Sequence, residues 1–140
     1  MSRVRAPERY EVFDLERMVD DEGTLYVGEL ARFHHGPFGR IVLIAGVPPG
    51  GSRGGHAHKR QYEYLICVHG GADVRLESRG EVATVELRRP GRTIYLPAGY
   101  WRDLVAFTPD TVLAMLATEP FDESDYIRDH DAFVRWEAGA

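Results

Sequence analysis

Between Arg40 and Ala117, glycine, proline and small polar residues interrupt the chain at nearly regular intervals. Turn signals roughly every 8–12 residues, with short apolar or alternating segments between them, describe an all-β barrel or sandwich. Ala72, Val74 and Leu76 alternate with Asp73, Arg75 and Glu77, and Ala83, Val85 and Leu87 alternate with Thr84, Glu86 and Arg88. A period of two marks a half-buried antiparallel strand. Val112–Ala117 is continuously apolar, the pattern of a strand buried on both faces. Gly70-Gly71 reads as a hairpin turn, and Ser78–Gly80 and Arg89–Arg92 as further turns. Toward the N-terminus, Glu11–Val19 reads as an irregular edge segment and Thr24–Phe33 as a strand. Roughly eight or nine short strands in a chain of this length fit a double-sheet jelly roll. The division expected is one domain over residues 1–140, with an N-terminal arm over 1–22, a barrel over 23–118 and a tail over 119–140. Residues 1–10 read as frayed. Tyr126, Ile127, Phe133 and Trp136 would pack one or two helical turns of the tail on the barrel.

Within this punctuation one stretch stands apart. Five glycines and two prolines between Gly46 and Gly55 exclude regular structure, and they lead straight into His56 and His58. On an extended strand these histidines share a face. An apolar run, Leu65–Val68, follows after Glu63, and Gly70 closes the stretch. A polar pair at the inner edge of a barrel suits proton transfer or metal binding. His34 and His35, by contrast, are adjacent and would point to opposite faces, as solvated loop residues do.

Composition narrows the function class. Net charge is −5, with no basic cluster, so nucleic acid is not the expected partner. The one cysteine, Cys67, sits in the apolar run and reads as a small buried hydrophobe; a single cysteine fits a reducing cytoplasm. Met1–Arg9 carries charges and no apolar core and does not read as a signal peptide, and no apolar run is long enough to span a bilayer.

Two spaced patterns carry a resemblance. The first is Gly50-x5-His56-x-His58-x4-Glu63-x6-Gly70, and the second is Gly91-x5-Pro97-x-Gly99-x2-Arg102. They resemble the two motifs of the cupin superfamily, except that metal-binding cupins carry a histidine where Arg102 stands. A guanidinium has no lone pair and cannot ligate a metal. Three further runs are similar to those of the nucleotide-sugar 3,4-ketoisomerases: Arg53 to Lys59 (R-G-G-H-A-H-K), Trp101-Arg102-Asp103, and the tail from Glu119 to Asp129 (E-P-F-D-E-S-D-Y-I-R-D). The resemblance implies a homodimer of jelly rolls acting on a dTDP-4-keto-6-deoxyhexose, with no cofactor and no metal. Glu63 stands where that family usually has Gln, Ile44 where it often has Tyr, and Pro48 where it has Arg.

The chemistry follows from the residues. A 4-keto group acidifies the hydrogen on C3; its removal gives an enediolate, and reprotonation at C4 leaves the ketone at C3. A base and an oxygen-to-oxygen proton shuttle are needed, and histidine suits both. His56 is expected to be the carbon base and His58 its partner, although the order is open. Arg53, Lys59 and Arg102 would hold diphosphate or stabilise the enediolate. Tyr95, Tyr100 and Trp101 would stack sugar or base, and Glu63 would touch substrate or pair with Arg102 across the barrel. Two other readings stay open: a metal-dependent cupin using His56, His58 and Glu63, and a non-catalytic sugar-binding module.

Overall fold

The alternation from Ala72 to Leu87 folds into a hairpin, with strands Ala72–Ser78 and Glu81–Leu87 paired from Ser78↔Glu81 to Ala72↔Leu87. Arg79 and Gly80 turn it at φ of +51° and +80°. The structure, a computed structural model, describes residues 7–139, so the first six residues of the expected arm and the last of the tail lie outside the described residues. The strands are β1 (Glu11–Asp14), β2 (Glu16–Asp20), β3 (Gly23–Val27), β4 (Arg40–Ala45), β5 (Arg53–His58), β6 (Glu63–His69), β7 (Ala72–Ser78), β8 (Glu81–Leu87), β9 (Arg92–Leu96), β10 (Trp101–Val105), β11 (Val112–Ala117) and β12 (Tyr126–Ile127). One helix, α1 (His130–Glu137), follows.

Two five-stranded antiparallel sheets face each other, in the orders β1-β9-β6-β11-β4 and β12-β5-β10-β7-β8. From β4 to β12 the chain passes from one sheet to the other at almost every connection, as a jelly roll requires. Leu65, Cys67, Val74, Leu76, Leu87, Ile94, Leu96, Leu104 and Leu113 fill the space between the sheets. No helix among the described residues is long and apolar enough to cross a membrane.

Several local expectations are corrected. Gly70-Gly71 does not join paired strands: β6 and β7 lie in different sheets, so the glycines turn a corner between layers. Glu11–Val19 is regular, forming β1 on the edge of the first sheet and β2 in a separate hairpin with β3. The strand expected over Thr24–Phe33 stops at Val27, and Leu30–Arg32 forms a 3₁₀ turn. That turn brings the Phe33 ring onto Tyr64, stacked at 4.2 Å, so tertiary packing overrides the local pattern. Glu8 and Tyr10 are tied down rather than frayed: Tyr95 Oη donates to Glu8 at 2.8 Å, and the Tyr10 ring meets Tyr100 edge-on. β11 is not sealed on both faces, since only Leu113 and Ala117 are fully buried. Its outer face lies beside Ile41 and Leu43 of β4, which are 65% and 67% exposed.

The tail packs on the outside only in part. Phe133 of α1 is fully buried against Ala57, Ile127 and Trp101. Before it, β12 adds a strand beside β5, with Tyr126 opposite His58 and Ile127 opposite Ala57.

Candidate active site

Two glycines aim the histidines. Gly54 and Gly55 take φ of +88° and +71°. His56 lies opposite Arg102 and Gly54 opposite Asp103, so one step along β10 spans two along β5. This is a β-bulge with Gly55 as the extra residue. A Cβ on Gly54 would sit 2.8 Å from the carbonyl oxygen of Arg102, so the bulge needs glycine for its approach as well as its angle. Beyond the bulge His56 and His58 face inward, with ring centroids 4.9 Å apart and planes nearly perpendicular.

Both histidines line a cavity of about 190 Å³ between the sheets. Alternate residues of each strand reach it: Arg40, Val42 and Ile44 from β4, Glu63 and Leu65 from β6, Arg102 and Leu104 from β10. Leu96, Met115, Arg53 and Tyr126 complete the wall. One part of the lining is therefore aliphatic, and another carries two imidazoles, a phenol, a carboxylate and three guanidinium groups.

His58 is 1% exposed and bonded at both ring nitrogens. Nδ1 lies 2.9 Å from Asp125 Oδ2, and Nε2 lies 3.2 Å from the side-chain nitrogen of Gln61. His56 differs: its buried Nδ1 makes no hydrogen bond among the described residues. The Tyr126 ring sits against both histidines, with centroids 4.9 Å from His56 and 4.3 Å from His58. Arg40 Nη2 donates to the Tyr126 hydroxyl at 2.8 Å. Arg102 and Glu63 form a buried ion pair. Two further Arg102 nitrogens reach the Tyr100 carbonyl at 3.3 Å.

This setting is hostile to positive charge on an imidazole. Burial pushes His56 down to about 3; Arg102, Arg128 and Arg40 add to the fall, and the backbone of Gly54 opposes it. Burial, then Arg102 and His56, pushes His58 far below its ordinary value. Both rings are therefore neutral at pH 7. Burial also lowers Arg102, to about 9, against the pull of Tyr126 and Asp125, and it keeps its charge at neutral pH.

Of the residues singled out by sequence, Arg53, His56, His58, Glu63 and Arg102 meet at the cavity. Lys59, Tyr95, Tyr100 and Trp101 do not line it. Strand parity explains two of these: Leu96 and Arg102 point inward, so Tyr95 and Trp101 point outward. Tyr95 joins an aromatic cluster with Tyr64 and His34, while Trp101 packs on Phe133 at 5.8 Å and donates Nε1–H to Asp103. Lys59 is exposed in the corner after β5. His34 and His35 lie in a loop as expected but are not merely solvated: His34 bonds Glu11 at 2.8 Å and His35 stacks on Tyr62 at 3.9 Å. Arg40, Gln61, Asp125 and Tyr126 were not singled out as site residues. The signal for two of them was the Asp-Tyr step inside the distinctive tail; Arg40 and Gln61 carried none.

No group of three or more His, Cys, Asp or Glu side chains among the described residues is placed to hold a metal ion. The donor set does not fit one either: the Glu63 carboxylate is held by Arg102, and the Arg102 guanidinium has no lone pair to donate.

Residues 8–138 match the family described as FdtA: WxcM-like, C-terminal. The chain is 28% identical over 125 residues to a TDP-4-oxo-6-deoxy-α-D-glucose-3,4-oxoisomerase from Aneurinibacillus thermoaerophilus, covering 89% of this chain and 90% of the relative. The crystal structure of QdtA, a sugar 3,4-ketoisomerase from Thermoanaerobacterium thermosaccharolyticum in complex with TDP, is similar with a TM-score of 0.86 at 32% identity, covering 93% of this chain and 94% of that one. A histidine-to-asparagine mutant of QdtA in complex with TDP-4-keto-6-deoxyglucose gives the same TM-score at 31% identity, covering 92% and 93%. With its cupin-type jelly roll and a match that runs through both histidines and the tail, this chain belongs to the FdtA, WxcM-like family, among the sugar-nucleotide 3,4-ketoisomerases.

Proposed function

We infer that this protein converts a TDP-4-keto-6-deoxyhexose into its 3-keto isomer by histidine acid/base chemistry through an enediolate. The observation that carries the reading is the pair of buried imidazoles on one wall of a cavity that also holds three guanidinium groups. A neutral imidazole can accept a proton, and the guanidinium groups stabilise the oxyanion that develops when C3 loses one. His56, with an unpartnered ring nitrogen, is the carbon base; His58, anchored at Nδ1 by Asp125, exchanges its Gln61 contact at Nε2 for a sugar oxygen and serves the oxygens. Arg102 stabilises the enediolate, and Glu63 holds Arg102 rather than touching substrate. Arg53 and Arg40 face the diphosphate. Burial is the main cause of the low His56 value; the two charges of that diphosphate would offset only the smaller contribution of Arg40 and its neighbours. The carbonyl alone acidifies C3–H, so the reaction needs no metal. The relatives' named activities support the reaction class.

The open apolar face of β4, with Ile41 and Leu43 outward, supports a two-fold homodimer that covers it.

The test is incubation with dTDP-4-keto-6-deoxyglucose, followed by NMR. A 3-keto product that persists after treatment with a chelator is the expected result. No 3-keto product refutes the reading, and turnover lost to chelation and restored by added iron or zinc refutes the metal-free mechanism.

A further inference from the structure

Asp125 is 1% exposed, yet the isomerisation as written gives no work to a carboxylate there. Its Oδ1 accepts the backbone N–H of Arg60 at 2.6 Å. Its Oδ2 lies 2.9 Å from His58 Nδ1 and accepts the backbone N–H of Gln61 at 3.3 Å. On the other side of the ring stands the Gln61 amide. Arg40 settles which way that amide is turned, since Arg40 Nη2 donates to Gln61 Oε1 at 2.9 Å and a guanidinium can only donate. The Gln61 NH₂ group is then the one that faces His58 Nε2, 3.2 Å away. The chain of bonds has a single polarity: Arg40 to Gln61, Gln61 to His58 Nε2, and His58 Nδ1–H to Asp125. Both Asp125 oxygens already accept backbone N–H groups, from Arg60 and Gln61, and an amide NH₂ only donates, so both neighbours of the ring demand the same tautomer.

We propose that Asp125, Gln61 and Arg40 are positioning residues that lock the resting His58 as the Nδ1–H tautomer, so that it enters the reaction with Nε2 unprotonated, as a proton acceptor. This rests on the isomerisation inferred above and adds an order to it. The proton that His58 delivers to one sugar oxygen is first taken from the other, while Asp125 faces the imidazolium formed in between. Arg102, Arg40, Arg128 and His56 all oppose that imidazolium, and Asp125 is the anion bonded to the ring.

The lock is read directly by ¹⁵N NMR of histidine-labelled full-length protein, which distinguishes a protonated from an unprotonated ring nitrogen and needs no turnover. In the wild type, His58 shows a proton on Nδ1 and none on Nε2 from pH 6 to 8, the range being set by the neutrality of the ring. Asp125→Asn offers an amide in place of the carboxylate, so exclusive Nδ1 protonation is lost. Its kcat falls about 10–100-fold with KM changed less than about 3-fold, as when the partner that orients a histidine is removed. Asp125 also holds the backbone of the corner, so Asn could fail to fold there. Gln61→Glu avoids this, because among the described residues the Gln61 side chain bonds His58 and Arg40 alone. It presents an acceptor to Nε2, and a proton appears on that nitrogen. A wild-type ring carrying its proton on Nε2, or a Gln61→Glu spectrum identical to wild type, overturns the lock whatever the activity. A wild-type protein with the Nδ1–H signal that turns over no keto-sugar refutes the proposed function and leaves the lock standing.

Discussion

Removing Glu63 should turn a neutralised cation into an orphaned one. The two side chains of the Glu63–Arg102 pair are each 4% exposed. Leaving one charge of a buried pair without its partner destabilises a fold by about 3–5 kcal/mol. In Glu63→Leu, Arg102 keeps its bonds to the Tyr100 carbonyl at 3.3 Å, which places the loss at the lower end, about 3 kcal/mol. With an unfolding entropy of about 2.1 cal/mol/K per residue, 140 residues give about 0.29 kcal/mol/K, so Tm should fall by about 10 °C. Glu63→Gln keeps an acceptor oxygen without the charge and should fall between Glu63→Leu and wild type. The double variant Glu63→Leu/Arg102→Met replaces the pair by apolar groups and should recover most of the loss, because such replacements are often neutral or stabilising. Scanning calorimetry and urea titration at pH 7 supply the numbers. Glu63→Leu within about 1 kcal/mol of wild type, or a double variant less stable than both singles, would refute the view that Glu63 is there to neutralise Arg102.

His56→Asn and His58→Asn should each lower kcat by about 10²–10⁴ with the fold intact. In deuterated water His56→Asn should also stop exchange at C3, whereas His58→Asn should not; unchanged rates in both variants would remove the histidines from the mechanism. Because His56 is held near 3 in the folded protein against an ordinary 6.5, only the unfolded chain gains that proton between the two values. Stability is thus full above pH 6.5 and falls as pH drops toward 3, and the drop from pH 7 to pH 4 in urea titrations should be smaller in His56→Asn; an equal drop would contradict the burial of that ring. Leu43→Glu, on the open face beside β11, should convert a dimer to a monomer in light scattering, and a wild type already monomeric at micromolar concentration would dispose of the dimer.

The strands were legible where one face is buried and one is wet, as in Ala72–Leu87, because period two is then written into the residues. They were less legible where burial is decided at a distance. Thr24–Phe33 has no local reason to stop at Val27; the reason is Tyr64, remote in sequence, on which Phe33 stacks. Gly70-Gly71 marks a turn, but a turn residue does not say whether the next strand pairs with the last or crosses to the other layer. In the site, His56, His58 and Arg102 sit in spaced motif positions, whereas Arg53 was legible only through the family resemblance of the run from Arg53 to Lys59. Trp101 and Tyr95 were attached to the site by proximity in sequence, although parity with Arg102 and Leu96 points them away. Arg40 and Asp125 reach His58 only through the order of strands in the two sheets, which no local pattern encodes. The Arg102–Glu63 pair was legible as one of two readings, since opposite charges in two inward-facing motifs invite it.

The strand β12 has a consequence in time. Asp125 and Tyr126 complete the surroundings of His58, and Asp125 is 67 residues further along the chain. At about 5–20 residues per second, a ribosome extends the chain for roughly 3–13 s between the two positions. Until β10 is made, β5 lacks both of its neighbours, and from then until β12 docks it stands at an unfinished margin of its sheet, with both imidazoles without Tyr126 beside them. Competence for proton transfer therefore arrives in a single late event, the docking of a short terminal strand, after every other strand has been made.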